Sequence, residues 1–128
     1  MKMEGMTGFK QLKVWQKAYE LVLEVYKLTR GFPKEEIYGL TSQLQRATVS
    51  VTANISEGYE RRHRKEYIQF LYMAKGSLGE LETYLCLAKD LGYISTDQYD
   101  SAKTVRVDTG KLLRGLIKSL SIPLTRAP

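Results

Sequence analysis

Apolar residues recur along this chain at three- and four-residue steps in four long segments, the period of amphipathic helices. The first runs from about Leu12 to Thr29 and carries two stripes. Leu12, Trp15, Tyr19, Val22 and Tyr26 form one, and Val14, Ala18, Leu21, Val25 and Leu28 the other. Lys13, Lys17, Glu20, Glu24 and Lys27 gather on the remaining third. Gly31-Phe32-Pro33 then breaks the pattern. The second helix is predicted from about Tyr38 to Glu57, with Gly58 as a left-handed C-cap. The third is predicted from about Lys65 to Leu91, with Tyr67, Phe70, Leu71, Ala74, Leu78, Leu81, Leu85 and Ala88 inward and Gly92 as its cap. Gly76 and Gly79 sit inside it, each costing about 1 kcal/mol relative to Ala. That cost predicts close approach of another backbone, from the same subunit or a neighbour. Ser95 with Gln98 reads as a capping box for a fourth helix, about Thr96 to Leu120. There Tyr99, Ala102, Val105, Thr109, Leu112, Leu113, Leu116 and Leu120 are expected to face inward. Residues 1–9 and 121–128 read as loose ends. The sum is an all-α, antiparallel up-down-up-down four-helix bundle, one domain over 1–128.

One segment departs from the usual surface helix. Between Leu40 and Ser56 the only charge is Arg46. Leu40, Leu44, Ala47, Val51 and Ile55 share one face, and Gln43, Arg46, Ser50, Asn54 and Glu57 line an adjacent polar one. The remaining positions are small or uncharged, so this helix is expected to be enclosed on most sides. A chain of 128 residues can hardly enclose it alone, which points to self-assembly.

Composition narrows the setting. Twenty basic and 14 acidic residues give a net charge of +6 and a pI near 9.4, which allows nucleic-acid contact without demanding it. The lone Cys86 excludes an intramolecular disulfide. No apolar run is long enough to span a bilayer, and Met1 to Met6 lack the apolar core of a signal peptide. The expected compartment is the cytoplasm, with no membrane partner.

Arg46 and Glu57 are eleven residues apart, about 16 Å along a helix, and cannot pair within it. An enclosed Arg46 needs an acid from elsewhere, and Glu80, beside Ser77, is the candidate. Gln43, Arg46, Ser50, Asn54, Glu57, Ser77 and Glu80 thus read as a structural polar network. Arg61, Arg62, Arg64 and Lys65 make a basic connection around His63, suited to phosphate or merely solvated. Lys103, Arg106, Lys111, Arg114 and Lys118 form a basic face on the fourth helix, diluted by Asp100. Repeated by symmetry, that face becomes multivalent towards a phosphate backbone. Catalysis finds little support. His63 is the only histidine, which excludes the two Glu-x-x-His motifs of a di-iron bundle, and there is no zinc spacing, phosphate-cradling glycine loop or nucleophile elbow. No catalytic residue, metal or cofactor is expected.

Three blocks carry a family resemblance. They are Phe9 to Ala18; Phe32 to Ala47 continuing to Asn54-Ile55-Ser56-Glu57-Gly58; and Tyr67 to Leu71, Ala74 to Glu82 and Asp90 to Tyr93. They resemble the bacterial four-helix-bundle proteins encoded within intervening sequences of 23S ribosomal RNA genes. The chain is distantly similar to the accessory variability protein of diversity-generating retroelements. The resemblance implies a homopentameric barrel with a central channel, and a family without established biochemical activity. Gln45 stands where the family has a second Arg, His63-Arg64 where it has a Ser or Thr cap, and Lys75 where it has Arg. The sequence therefore points to a non-enzymatic homo-oligomer that binds RNA or DNA through basic surfaces. A protein-interaction scaffold with a merely solubilising surface is the alternative.

Overall fold

Four helices, α1 (Lys13–Thr29), α2 (Leu40–Tyr59), α3 (Arg64–Asp90) and α4 (Thr96–Ser121), dominate the computed structural model, which describes residues 7–123. Short 3-10 turns occupy Gly8–Gln11 and Lys34–Glu36, and there is no strand among the described residues. Of the expected loose ends, 1–9 and 121–128, residues 1–6 and 124–128 lie outside that range, whereas Gly8 and Phe9 belong to the first 3-10 turn and Ser121 to the last turn of α4. α1 packs on α2 and α4, and α3 packs on the same two, so the helices close into a bundle around one core. Leu21, Val25, Leu44, Val51, Ile55, Leu71, Leu81, Leu85 and Leu113 are fully buried there. Each such side chain contributes about 1.5–3 kcal/mol through removal from water.

Of the two stripes on α1, the one through Val14, Ala18, Leu21, Val25 and Leu28 enters the core. The other stays at the edge, where Trp15 stacks on Tyr19 with centroids 5.0 Å apart. On α4 the buried row slips at its C-terminal half. Ile117 is buried, whereas Leu112 is exposed and Leu116 and Leu120 only border the core.

Helix ends are set by specific bonds. Ser95 and Gln98 form the expected capping box, with Gln98 N donating to Ser95 Oγ at 3.0 Å and Ser95 N to Gln98 Oε1 at 2.8 Å. Gly92, at φ +79°, closes α3, with Tyr93 N donating to Ala88 O at 2.9 Å. α2 begins at Leu40 rather than Tyr38, because Lys34–Glu36 takes a 3-10 turn and Glu36 supplies the cap. Glu36 Oε1 accepts from Leu40 N at 3.0 Å, and Oε2 accepts from Tyr93 OH at 2.8 Å. Those two bonds, the backbone one foremost, hold the Glu36 carboxyl below the usual glutamate range.

Gly58 is not a left-handed cap. It lies buried inside α2, where an added Cβ would meet Phe70 Cβ at 2.9 Å and Tyr67 O at 3.1 Å. Here α2 packs tightly against the start of α3. Gly76 and Gly79 show the opposite. Both are exposed on α3, and nothing lies within 4 Å of an added Cβ at either. Among the described residues nothing packs against them to compensate their helix-propensity cost. Nor is α2 enclosed by the chain: Gln43, Arg46, Val49, Ala53 and Glu57 remain exposed, because α1, α3 and the two 3-10 turns cover only part of the helix.

Candidate nucleic-acid interface

The α2–α3 connection carries four of the candidate cations, and the structure divides them. Arg61 Nη2 pairs with Glu57 Oε2 at 2.9 Å, and its guanidinium lies 4.7 Å from the Phe70 ring centroid. Arg64 Nη1 donates to the Ile122 carbonyl at 2.6 Å, tying the start of α3 to the end of α4. Arg62 and Lys65 are exposed and make no ion pair with any described residue. Lys65 and Arg64 also rim a shallow groove of about 460 Å³ with Ile68, Tyr72, Leu120 and Ile122.

The five cations of α4 also fall into two groups. Arg106 is 20% exposed, and its Nε lies 2.8 Å from Glu82 Oε1. The pair is ionic, with the N–H misaligned, so neither atom has a hydrogen bond. Lys103, near the same seam, places Nζ 5.9 Å from the Tyr99 ring centroid. Lys111, Arg114 and Lys118 are exposed without ion pairs to described residues. Lys118 precedes Ile122 by about one turn. The Arg64–Ile122 bond therefore gathers Arg62, Arg64, Lys65 and Lys118 at one end of the bundle, with Arg114 a turn further along α4.

Sequence periodicity overlooked Lys13. It lines a depression of about 570 Å³ between α1 and α4 with Lys17, Tyr19, Leu23 and Leu112, which brings α1 cations beside the α4 face. Lys17 is partly neutralised by Glu20 at 3.2 Å. The sequence shows Lys13 on the charged third of its helix, but not which helix lies alongside.

Of the polar network, the structure joins three members. Ser50 Oγ and Ser77 Oγ are 2.9 Å apart, and Asn54 Nδ2 donates to Ser50 Oγ at 3.0 Å and to Ser50 O at 2.8 Å. Asn54 thus leaves the Ser50 hydroxyl free to donate to Ser77 across the α2–α3 seam. Glu57 leaves the network for Arg61. Gln43, Arg46 and Glu80 line one depression of about 360 Å³ with Tyr84, yet Arg46 and Glu80 form no ion pair within the chain. Both are exposed, so water satisfies each charge.

The densest side-chain chemistry lies at the α3–α4 seam. Tyr99 OH donates to Glu82 Oε2 at 2.5 Å, and Cys86 Sγ lies 3.3 Å from the same oxygen. Desolvation pushes the Glu82 carboxyl up, but the bonds from Tyr99 and Cys86 and the charges of Arg106 and Lys103 outweigh it. Its pKa settles below the usual range. Bonding to Cys86 and to Glu82 pushes the Tyr99 phenol well above the usual tyrosine range. These shifts favour an ionised Glu82 and a protonated Tyr99, the forms that bond across the α3–α4 seam; they do not poise a proton near neutrality. Among the described residues no His, Cys, Asp and Glu side chains cluster as a metal site, and no helix is long and apolar enough to cross a membrane.

The crystal structure of a protein of unknown function from the S23 ribosomal protein family, from Bacteroides thetaiotaomicron VPI-5482, has the same fold with a TM-score of 0.76. It is 27% identical, and the match covers 82% of this chain and 98% of that one. No curated protein matches the chain. The description 23S rRNA-intervening sequence protein belongs to the family whose model matches residues 10–115. A match over that much of the sequence, joined to the shared four-helix fold, makes this chain a member of that family.

Proposed function

We propose that this protein is a non-enzymatic, self-associating bundle that binds RNA or DNA without sequence preference through its cationic end. The observation that carries the reading is the Arg64–Ile122 bond, which joins the basic connection to the basic end of α4. Separate in sequence, the two groups become one surface on which Arg62, Lys65, Arg114 and Lys118 have no ion-pair partner among the described residues. The helices run antiparallel, up-down-up-down. Ser50 meets Ser77 while the later Gly58 meets the earlier Phe70, and Gln45 bonds Thr29 while Tyr59 bonds Gln11. The homopentameric barrel that the resemblance implies, placed in the cytoplasm, would multiply the cationic end and convert weak contacts into avidity.

Fluorescence anisotropy with labelled structured RNA and duplex DNA tests the reading. Four phosphate contacts per copy predict an affinity loss of about a hundredfold between about 50 and 200 mM salt. Combined Ala substitution of Arg62, Lys65, Arg114 and Lys118 should abolish most of the binding. An intact oligomer that binds neither nucleic acid at low salt would end this reading. The scaffold alternative would then stand, favoured by the apolar groove of Ile68, Tyr72, Leu120 and Ile122 beside the same cations.

A further inference from the structure

The large apolar side chains left in water are not scattered. Two groups dominate, on different sides of the bundle. Tyr26, Ile37, Tyr38 and Val49 border the α1–α2 side, and Tyr38 is 97% exposed. All four line a groove of about 550 Å³, which also holds Arg46. Tyr72, Met73 and Leu87 are exposed on α3, and Leu91 just past its end. Tyr72, Gly76, Gly79, Thr83 and Leu87 follow at three- and four-residue steps, so they share one outward row without a charge. Glu80 stands at the edge of that row.

Two dissimilar patches suit a head-to-tail contact, because a ring built by rotation joins one surface to a different surface of the next copy. Heights along the bundle match as well. Ser50 and Ser77 are hydrogen-bonded and therefore level. Counting from them in opposite directions along the two helices sets Arg46 near the level of Glu80, Val49 near Gly76 and Gly79, and Leu40, the first residue of α2 and two after Tyr38, level with Leu87. In a ring whose axis runs along the bundle, each level meets its own level in the neighbour. Arg46 and Glu80, two exposed charges at these surfaces with no ion pair among the described residues, would then face each other with opposite sign. The glycines would let the α3 backbone sink into the groove, which accounts for helix-weakening residues with nothing beside them in the lone chain.

We infer that the outward row of α3 from one copy seats in the α1–α2 groove of the next, with Glu80 pairing with the neighbour's Arg46 and Leu87 against its Tyr38. This rests on the self-association proposed above and names the surfaces that carry it.

Light scattering on the full chain and two variants tests it. Tyr38→Glu alters the groove alone and Gly76→Glu the row alone. Both positions face solvent in the lone chain, so helicity by circular dichroism should be unchanged. Each variant alone should collapse to the mass of one chain, 14.7 kDa. Mixed, they should form a pair, because one intact groove and one intact row remain. Arg46→Glu and Glu80→Arg should each lower the assembled mass, and the double variant should recover it; this pair decides the matter if an apolar variant misfolds. A wild-type chain that stays monomeric at every concentration would overturn self-association itself, leaving the face to some other partner. A wild-type oligomer indifferent to both apolar variants would overturn only the surfaces. Monomeric variants that fail to pair on mixing would overturn the head-to-tail geometry.

Discussion

The outward sides of α3 and α4 differ in almost every respect, although the two helices are neighbours of similar length. From Tyr72 to Leu87 the outer row of α3 holds tyrosine, glycine, threonine and leucine and no charge. From Lys103 to Lys118 the outer face of α4 holds lysine and arginine at most turns. Both sides expose a glycine with nothing within 4 Å of an added Cβ, Gly76 on α3 and Gly115 on α4. The lesson is that exposure in a lone chain has two meanings. On α4 it fits contact with water or phosphate. On α3 the residues exposed are ones that water rewards poorly, and the same physical measure marks a surface awaiting cover.

The largest expected effect lies under both surfaces, at the α2–α3 seam. Gly58→Ala would press a methyl onto Phe70 Cβ and the Tyr67 carbonyl, neither of which is a flexible end. It should cost about 2–3 kcal/mol in urea unfolding. A loss under about 0.5 kcal/mol would mean that the helices part easily there. Next comes the α3–α4 seam, where Glu82→Gln removes the charge held by Arg106 and weakens the bond from Tyr99. An expected loss of about 1–2 kcal/mol reflects partial burial of the pair. Glu36 and Glu82 both titrate below the ordinary value of about 4.3. Their stabilisation is therefore complete above that pH and is lost as pH falls through their folded values. Melting temperatures should decline below about pH 4, and Glu82→Gln should flatten the decline; parallel curves would remove Glu82 from the explanation.

Smaller effects sharpen the contrast itself. Thr48 is fully buried with an unbonded hydroxyl, so Thr48→Val should stabilise by about 1 kcal/mol in urea unfolding. Gly76→Ala and Gly115→Ala form a matched pair. Each should stabilise the dissociated chain by up to about 1 kcal/mol through helix propensity. Only Gly76→Ala should also weaken assembly, read as a shift of the light-scattering mass to lower values at equal concentration. Equal behaviour of the two would erase the distinction between the sides.

Local chemistry was legible in the sequence, and tertiary partners were not. The Ser95–Gln98 box and the Gly92 cap are written within a few residues, and both form. The start of α2 escaped because its cap, Glu36, is braced by Tyr93, which is 57 positions away. Gly58 looked like a cap because a glycine after an apolar run has the same signature whether it turns the chain or admits a neighbouring helix. Arg106 counted as surface because periodicity could not reveal Glu82 on the adjoining helix. The α4 row slipped to Ile117 because a leucine-rich end offers two plausible phases and packing chooses between them. For the candidate interface, residue types were visible, but the gathering of two distant basic groups at one end required the fold.

The hydrogen bond from Arg64 to the Ile122 carbonyl has one more consequence. A phosphate that recruited this guanidinium would have to compete with the carbonyl for it. Occupancy of the cationic end and fraying of the last turn of α4 would then be thermodynamically linked, each promoting the other to the same degree. Hydrogen exchange at the amides of Ser119 to Ile122 would register a polyanion arriving at the cationic end, turning the end of the helix into a built-in reporter of its own load.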